Sequence, residues 1–252
     1  MLMYDVIVIG FGKAGKTLAA KLSSQGKKVA LIEKSKSMYG GTCINIACIP
    51  TKTLIVAADK GLDFEQAMSE KNAVTTRLNG KNYATIAGTG VDIIDATARF
   101  LSNKVIEIQA GEEKEELTAE TIIINTGAVP TILPIPGLAE SKFAVDSTGI
   151  QRLENLPKRL GVLGGGPIGL EFAHLYNTLG SQVTVLDASE TFLPRIEPSI
   201  AALAKGYLEE DGIQFLQGVH TQEIKDGEAS LTLVTDKGDF EFDILLYATG
   251  RK

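Results

Sequence analysis

One pattern constrains the fold of this chain more than any other: a glycine-rich turn that occurs twice, 154 positions apart. The first copy follows the apolar run Tyr4 to Ile9 and reads Gly10-Phe11-Gly12-Lys13-Ala14-Gly15. A stretch of helical character continues to about Gln25, Gly26 punctuates it, and a second apolar run from Val29 to Ile32 ends in Glu33. The order is strand, turn, helix, strand, acid. Gly10 permits a tight turn, Gly12 lets the backbone approach a pyrophosphate, and Gly15 allows close helix–strand packing. The helix N-terminus then faces phosphates and the acid takes ribose hydroxyls.

The second copy runs from Leu160 to Leu163 into Gly164-Gly165-Gly166-Pro167-Ile168-Gly169, with Gly180 in place of Gly26 and Asp187 in place of Glu33. The glycine-to-acid spacing is 23 residues in both copies. A lone G-x-G-x-x-G is equally a plain turn. Two copies in register with strand, helix and acid predict an α/β chain with two Rossmann-like dinucleotide-binding domains. A shorter element also repeats: Glu120 to Gly127 reads ETIIINTG, and Asp243 to Gly250 reads DILLYATG. A buried strand closing on a glycine turn beside a nucleotide has this form, which makes Thr126, Gly127 and Gly250 binding candidates. The plainer reading is a core strand and its turn.

Composition narrows the class. In 252 residues, 44% are hydrophobic, enough for a packed core and too many for a disordered chain. No uninterrupted apolar run approaches the ~18 residues of a membrane helix. The net charge of −6 argues against non-specific nucleic-acid binding. The start, MLMYDVIVIG, has no basic region and reads as a first strand, not a signal peptide. Two domains are expected, 1–145 and 156–252, joined by an irregular linker marked by Pro130, Pro134, Pro136 and Gly137. Helices are predicted over 51–60, 63–78 and 197–211. Strands are predicted over 91–100, 104–109 and 115–118 as a β-meander, then over 213–218, 221–225, 230–235 and 243–248. The run Glu112-Glu113-Lys114-Glu115-Glu116 is expected as a solvated hairpin tip.

The only cysteines, Cys43 and Cys48, lie in Gly40-Gly41-Thr42-Cys43-Ile44-Asn45-Ile46-Ala47-Cys48-Ile49-Pro50-Thr51-Lys52. At a spacing of five in a regular helix their Cα atoms would be roughly 8–9 Å apart, beyond disulfide reach. A bridge needs a distorted turn or a loop-to-helix junction, which Gly40-Gly41 and Pro50 suit. A thiol at a helix N-terminus has a lowered pKa, as a thiol–disulfide relay requires. Three alternatives stand: inert buried thiols, a structural disulfide, or a zinc site for which His174 and His220 are the only histidines. Asp187, with no arginine in Ala188-Ser189-Glu190, would accept a ribose 2′-hydroxyl and repel a 2′-phosphate, so NAD(H) is expected over NADP(H).

The segment 40–52, both nucleotide motifs and both Thr-Gly strands together resemble the class I pyridine nucleotide–disulfide oxidoreductases, which include glutathione reductase, dihydrolipoamide dehydrogenase and mercuric reductase. The resemblance covers the whole chain. It implies an FAD domain over 1–145, with Gly10, Gly12, Gly15, Glu33, Gly41 and Thr42 on FAD, and an NAD(P)H domain from about 156, with Gly164, Gly166, Gly169 and Asp187 on the nicotinamide dinucleotide. It implies that Cys48 is the flavin-facing thiol and Cys43 the thiol that meets substrate. Lys52 would lie beside flavin N5 with Glu171 as its carboxylate; by residue type alone the two are a solvated lysine and a helix-surface acid.

Family members continue beyond the point where this sequence stops, completing the FAD domain and adding a dimer-interface domain with a His–Glu acid–base pair. The resemblance therefore implies a homodimer only for a longer protein, and implies that this chain lacks that domain and holds FAD weakly. His174 and His220 read as structural or surface residues. Lys13 and Lys16 stand where many relatives have small residues, and Ala47 where the better-known members often have Gly. These features most resemble the mercuric-reductase-like branch linked to resistance to reactive chlorine species and hypothiocyanous acid. The expectation is a cytoplasmic enzyme acting on a small oxidant, metal ion or disulfide, without a nucleic-acid or membrane partner. Dihydrolipoamide dehydrogenase activity and a non-catalytic nucleotide-binding fragment are the alternatives; a flavin monooxygenase would have no use for the cysteine pair.

Overall fold

The structure, a computed structural model, describes residues 2–252. Two compact units emerge. The first comprises the chain through Pro50 and Lys71–Gly127; the second comprises Thr51–Glu70 and Ala128–Lys252.

The first unit opens with β1 (Leu2–Ile9), α1 (Lys13–Ser23) and β2 (Val29–Glu33). Then follow α2 (Thr42–Asn45), α3 (Cys48–Asp59) and α4 (Phe64–Ala87), the last two shared in sequence between the units. Strands β3 (Asp92–Asp95), β4 (Thr97–Ser102), β5 (Val105–Ala110) and β6 (Glu113–Ile124) complete it. The sheet order is β3-β2-β1-β6-β5-β4. The β1–β2, β2–β3 and β1–β6 pairs are parallel, whereas β4–β5 and β5–β6 are antiparallel. Both faces of β1 are buried because its side chains alternate: Val6 and Val8 join one cluster with Phe11, Ala19 and Leu31, and Ile7 joins another with Ile32, Ile106 and Leu117.

The predicted meander is present with different bounds. The 91–100 run breaks at Ala96: β3 extends the parallel edge and β4 pairs with β5. The acidic run is solvated as expected, but only Glu112 lies in the hairpin turn. Gly111, with φ +64°, makes the turn, and Glu113 to Glu116 are exposed ladder residues opposite Glu107 to Ala110. They merge with the 120–124 run into one twelve-residue strand shared by the meander and the parallel layer. The helix expected over 63–78 continues to Ala87.

The second unit contains β7 (Ala144–Val145), β8 (Arg159–Leu163), α5 (Pro167–Thr178), β9 (Gln182–Asp187) and α6 (Pro198–Glu210). Then come β10 (Gln214–Gln217), β11 (Thr221–Asp226), β12 (Leu231–Thr235), β13 (Gly238–Phe242) and β14 (Ile244–Tyr247). A five-stranded sheet, β10-β9-β8-β14-β7, is parallel throughout, and β11-β12-β13 form a small antiparallel sheet. Leu160, Val162, Val183 and Val185 pack with Phe172 and Tyr176 of α5, and Leu163, Leu186 and Leu245 pack with Leu231 and Leu233 of the small sheet. Sequence reading missed β7 and β13. The first is two residues long; the second alternates acidic and aromatic residues, a pattern that pairing with β12 stabilises.

The eighteen residues Thr42–Asp59 reach a mean hydropathy of 1.2 and are apolar enough to pass as a membrane-length stretch. They form two helices interrupted at Ile46, where φ is −142°. A spanning segment is one continuous helix of about 20 residues.

Glycine substitutions separate the constraints on this fold. A Cβ on Gly169 would lie 2.1 Å from the Gly164 carbonyl oxygen, whereas one on Gly80, inside α4, would meet nothing within 4 Å. Gly169→Ala is expected to lose about 1–3 kcal/mol by overpacking, and Gly80→Ala to gain about 0.5–1 kcal/mol by helix propensity. Thermal melts of the two variants against the parent check both signs.

Candidate functional site

In the first unit the glycine loop, the cysteine segment and the end of β6 converge. Gly10 adopts φ +108°, and a Cβ there would fall 2.2 Å from the Asn125 carbonyl oxygen. The side chain of Asn125 donates to the Gly10 carbonyl at 3.1 Å and occupies the space that a Cβ on Gly12 or Gly15 would take, at 2.8 and 2.5 Å. Gly41, at φ +81°, lies against Gly12: its Cβ would be 2.6 Å from the Gly12 Cα. Gly127, at φ +73°, faces Thr42 Oγ1, 3.8 Å from where its Cβ would be. Thr126 is exposed at the end of β6. Glu33 is fixed by two backbone N–H donors, Phe11 at 3.0 Å and Ser35 at 3.1 Å.

The second unit repeats this construction. Gly164 adopts φ +107° against the Ala248 carbonyl, and Asp187 accepts from the N–H groups of Gly165 at 2.6 Å and Ser189 at 2.8 Å. In both copies the acid therefore holds the second residue of the glycine loop. Gly166 differs. Its φ of −78° suits any residue, and a Cβ there would meet nothing within 4 Å. Nothing in the chain itself requires glycine at that point, so the open space is a cradle. A cavity of ≈ 260 Å³ is lined there by Gly166, Pro167, Ile168, Thr249 and Gly250.

Both loops lead into helices suited to phosphate. Neither α1 nor α5 has a side-chain cap or an acidic residue in its first turn. Their free N–H groups and positive dipole ends are left for an anion. The acids, the bare helix starts and the Gly166 cradle fit dinucleotides.

Cys43 is the second residue of α2 and Cys48 the first of α3. The loop-to-helix junction that the spacing demanded is thus a junction of two helices. Both thiols are free and exposed. A lowered thiol was expected, but Cys43 is pushed up. The hydrogen bond with the Cys48 thiol is the largest cause, burial adds to it, and Lys13 opposes it. The turn is held by a side chain that sequence reading passed over. Asn45 donates to the carbonyls of Tyr39 and Gly41, both at 2.9 Å, and accepts from Asn79 at 3.0 Å. Asn125 was also missed. The signal in each case is a lone amide inside an apolar run.

In the second unit Lys52 of α3 forms an ion pair with Glu171 of α5. His174 approaches Asp211 at 3.7 Å on the surface of α5, and His220 uses its backbone N–H to donate to Asp236.

These features are those of a dinucleotide-binding protein with a pair of exposed thiols. The pyridine nucleotide-disulphide oxidoreductase family matches residues 4–252, and the chain belongs to that family. It is an oxidoreductase family that binds FAD and pyridine nucleotide. The chain is 43% identical over 250 residues to an Escherichia coli (strain K12) protein, "Probable pyridine nucleotide-disulfide oxidoreductase RclA", covering 99% of this chain and 57% of that one. It is 32% identical to the mercuric reductase of Lysinibacillus sphaericus over 99% of this chain and 48% of the relative. A solved Cu(II) complex of the HOCl-induced flavoprotein disulfide reductase RclA from Escherichia coli superposes with a TM-score of 0.98 at 43% identity, covering 100% of this chain and 57% of that one. The chain thus spans about half the length of these relatives.

Proposed function

We propose that this chain carries the cofactor-binding and dithiol parts of an FAD-dependent reductase that oxidises NADH and uses Cys43 and Cys48 to reduce a small substrate. The observation that carries this reading is the thiol pair. Two free, exposed thiols flank a break between two helices, directly after a glycine segment packed on the first nucleotide loop. FAD, when bound, supplies the two-electron chemistry that links nicotinamide to thiols.

The residues of the chain position and hold. Gly10, Gly12, Gly15, Gly41, Thr42, Thr126 and Gly127, with Glu33, form the FAD cradle in the first unit. Gly164, Gly166, Gly169, Gly250 and Asp187 form the nicotinamide dinucleotide cradle in the second. In substrate reduction Cys43 and Cys48 give up two electrons and two protons and close to a disulfide. Cys43 is the thiol assigned to substrate and Cys48 the thiol assigned to the flavin side. Lys52, held by Glu171, is the cation assigned to the flavin edge.

Small oxidants and metal ions are favoured over peptide disulfides, because the 43%-identical relative is described as HOCl-induced and was solved with Cu(II), and mercuric reductases follow. Dihydrolipoyl dehydrogenases match at about the same level as the latter, 29% for that of Acholeplasma laidlawii. A cytoplasmic setting suits a working dithiol. A homodimer is proposed for a protein of the relatives' full length.

Cys43→Ser is expected to abolish oxidant reduction while leaving NADH-driven bleaching of the flavin. Stopped-flow flavin absorbance and substrate consumption, measured on FAD-loaded protein, check this; full turnover by the variant would refute the role. The Asp187 carboxylate, tied to the loop by Gly165 N–H, is expected to give a kcat/KM at least about tenfold higher for NADH than NADPH. Equal values would remove the preference.

A further inference from the structure

The proposed mechanism leaves Lys16 unused. It is 9% exposed, on the second turn of α1, and its amine has no hydrogen-bond or ion-pair partner among the described residues. Buried lysines are rare unless paired, because desolvation penalises the ammonium. The start of α1 is pressed against Gly41 through Gly12, and Cys43 lies two residues beyond Gly41. Lys13 is one turn before Lys16 on the same helix face and is exposed. The charged and titratable groups that act on the Lys16 amine are Lys13 and Cys43; those on the Cys43 sulfur include Cys48 and Lys13. Burial and Lys13 hold the Lys16 amine below the usual lysine range, and the Cys43 sulfur draws it back up. No carboxylate pairs with either lysine among the described residues, and the acidic group of the chain that acts on the Lys16 amine is Cys43.

We propose that Lys16, supported by Lys13, is a positioning cation for Cys43: its ammonium favours the thiolate and makes the site prefer small anionic electrophiles over neutral ones. The proposal deepens the functional reading by naming the charge of the substrate class, and it rests on Cys43 as the thiol that meets substrate. A local positive potential has two separable effects. It stabilises the thiolate, which moves the alkaline limb of thiol reactivity to lower pH. It also concentrates anions at the sulfur.

The test uses the Cys48→Ala chain, in which Cys43 is the sole thiol. Alkylation by neutral iodoacetamide across pH 6–10 reads the thiolate fraction, and the iodoacetate-to-iodoacetamide rate ratio reads the local potential. Lys16→Met is expected to shift the alkaline limb upward, to slow alkylation near neutral pH about threefold or more, and to lower the rate ratio by a similar factor. Lys16→Arg is expected to restore both. Lys13→Gln, at an exposed position, is expected to lower the ratio to a smaller extent and serves if Lys16→Met does not fold. Parental values in Lys16→Met, or in Lys13→Gln should the former not fold, would overturn the proposal. So would a Lys16→Arg variant as impaired as Lys16→Met, since packing alone would then explain the site. Alkylation needs neither FAD nor turnover, so failure of the reductase reading, seen as full activity of Cys43→Ser, is distinguishable from failure of this one.

Discussion

Each unit depends on a contact between two backbones. Where β1 enters its glycine loop, Gly10 meets the carbonyl of Asn125; where β8 enters its own, Gly164 meets the carbonyl of Ala248. A side chain at either position would collide with main chain, which cannot move aside as a flexible side chain can. Both glycines also lie in the left-handed region of φ. The approach sets the start of the following helix, and the carboxylate at the end of the next strand ties down the loop's second residue. A bare helix N-terminus and a fixed carboxylate follow in each unit, which is the chemistry that a dinucleotide requires.

On the first of these frames the chain builds something the second lacks. Gly41 packs on Gly12, Asn45 pins the turn, and two thiols emerge at a helix junction. The hydrogen bond with the Cys48 thiol pushes Cys43 up, whereas Lys13 works in the other direction. The reactivity of Cys43 is therefore a balance between a neighbouring sulfur and neighbouring amines.

Much of this was legible in the sequence because glycine is a backbone instruction. The spacing from Gly10 to Glu33, repeated from Gly164 to Asp187, made the element order and the position of both glycine loops readable. The five-residue gap between Cys43 and Cys48 is too wide for a disulfide within a regular helix, and the structure supplies a break at Ile46. Less was legible where the deciding partner is distant in sequence. Glu113 to Glu116 look like a solvated tip until β5 pairs with them, and β13 needs β12 to make its acidic alternation a strand. Asn125 and Asn45 act on loops 115 and as little as four residues away, and no periodicity marks them. Lys16 stood out only as an unusual residue; its burial is a property of packing.

The central claim is that Cys43 and Cys48 form a redox couple fed by the nicotinamide dinucleotide. The most direct measurement is an anaerobic NADH titration of the FAD-loaded, oxidised chain with thiols counted at each step. The account predicts uptake of two electrons beyond those needed by the flavin, with two thiols appearing per chain. Flavin bleaching complete at one equivalent of NADH, with no new thiols, would contradict it.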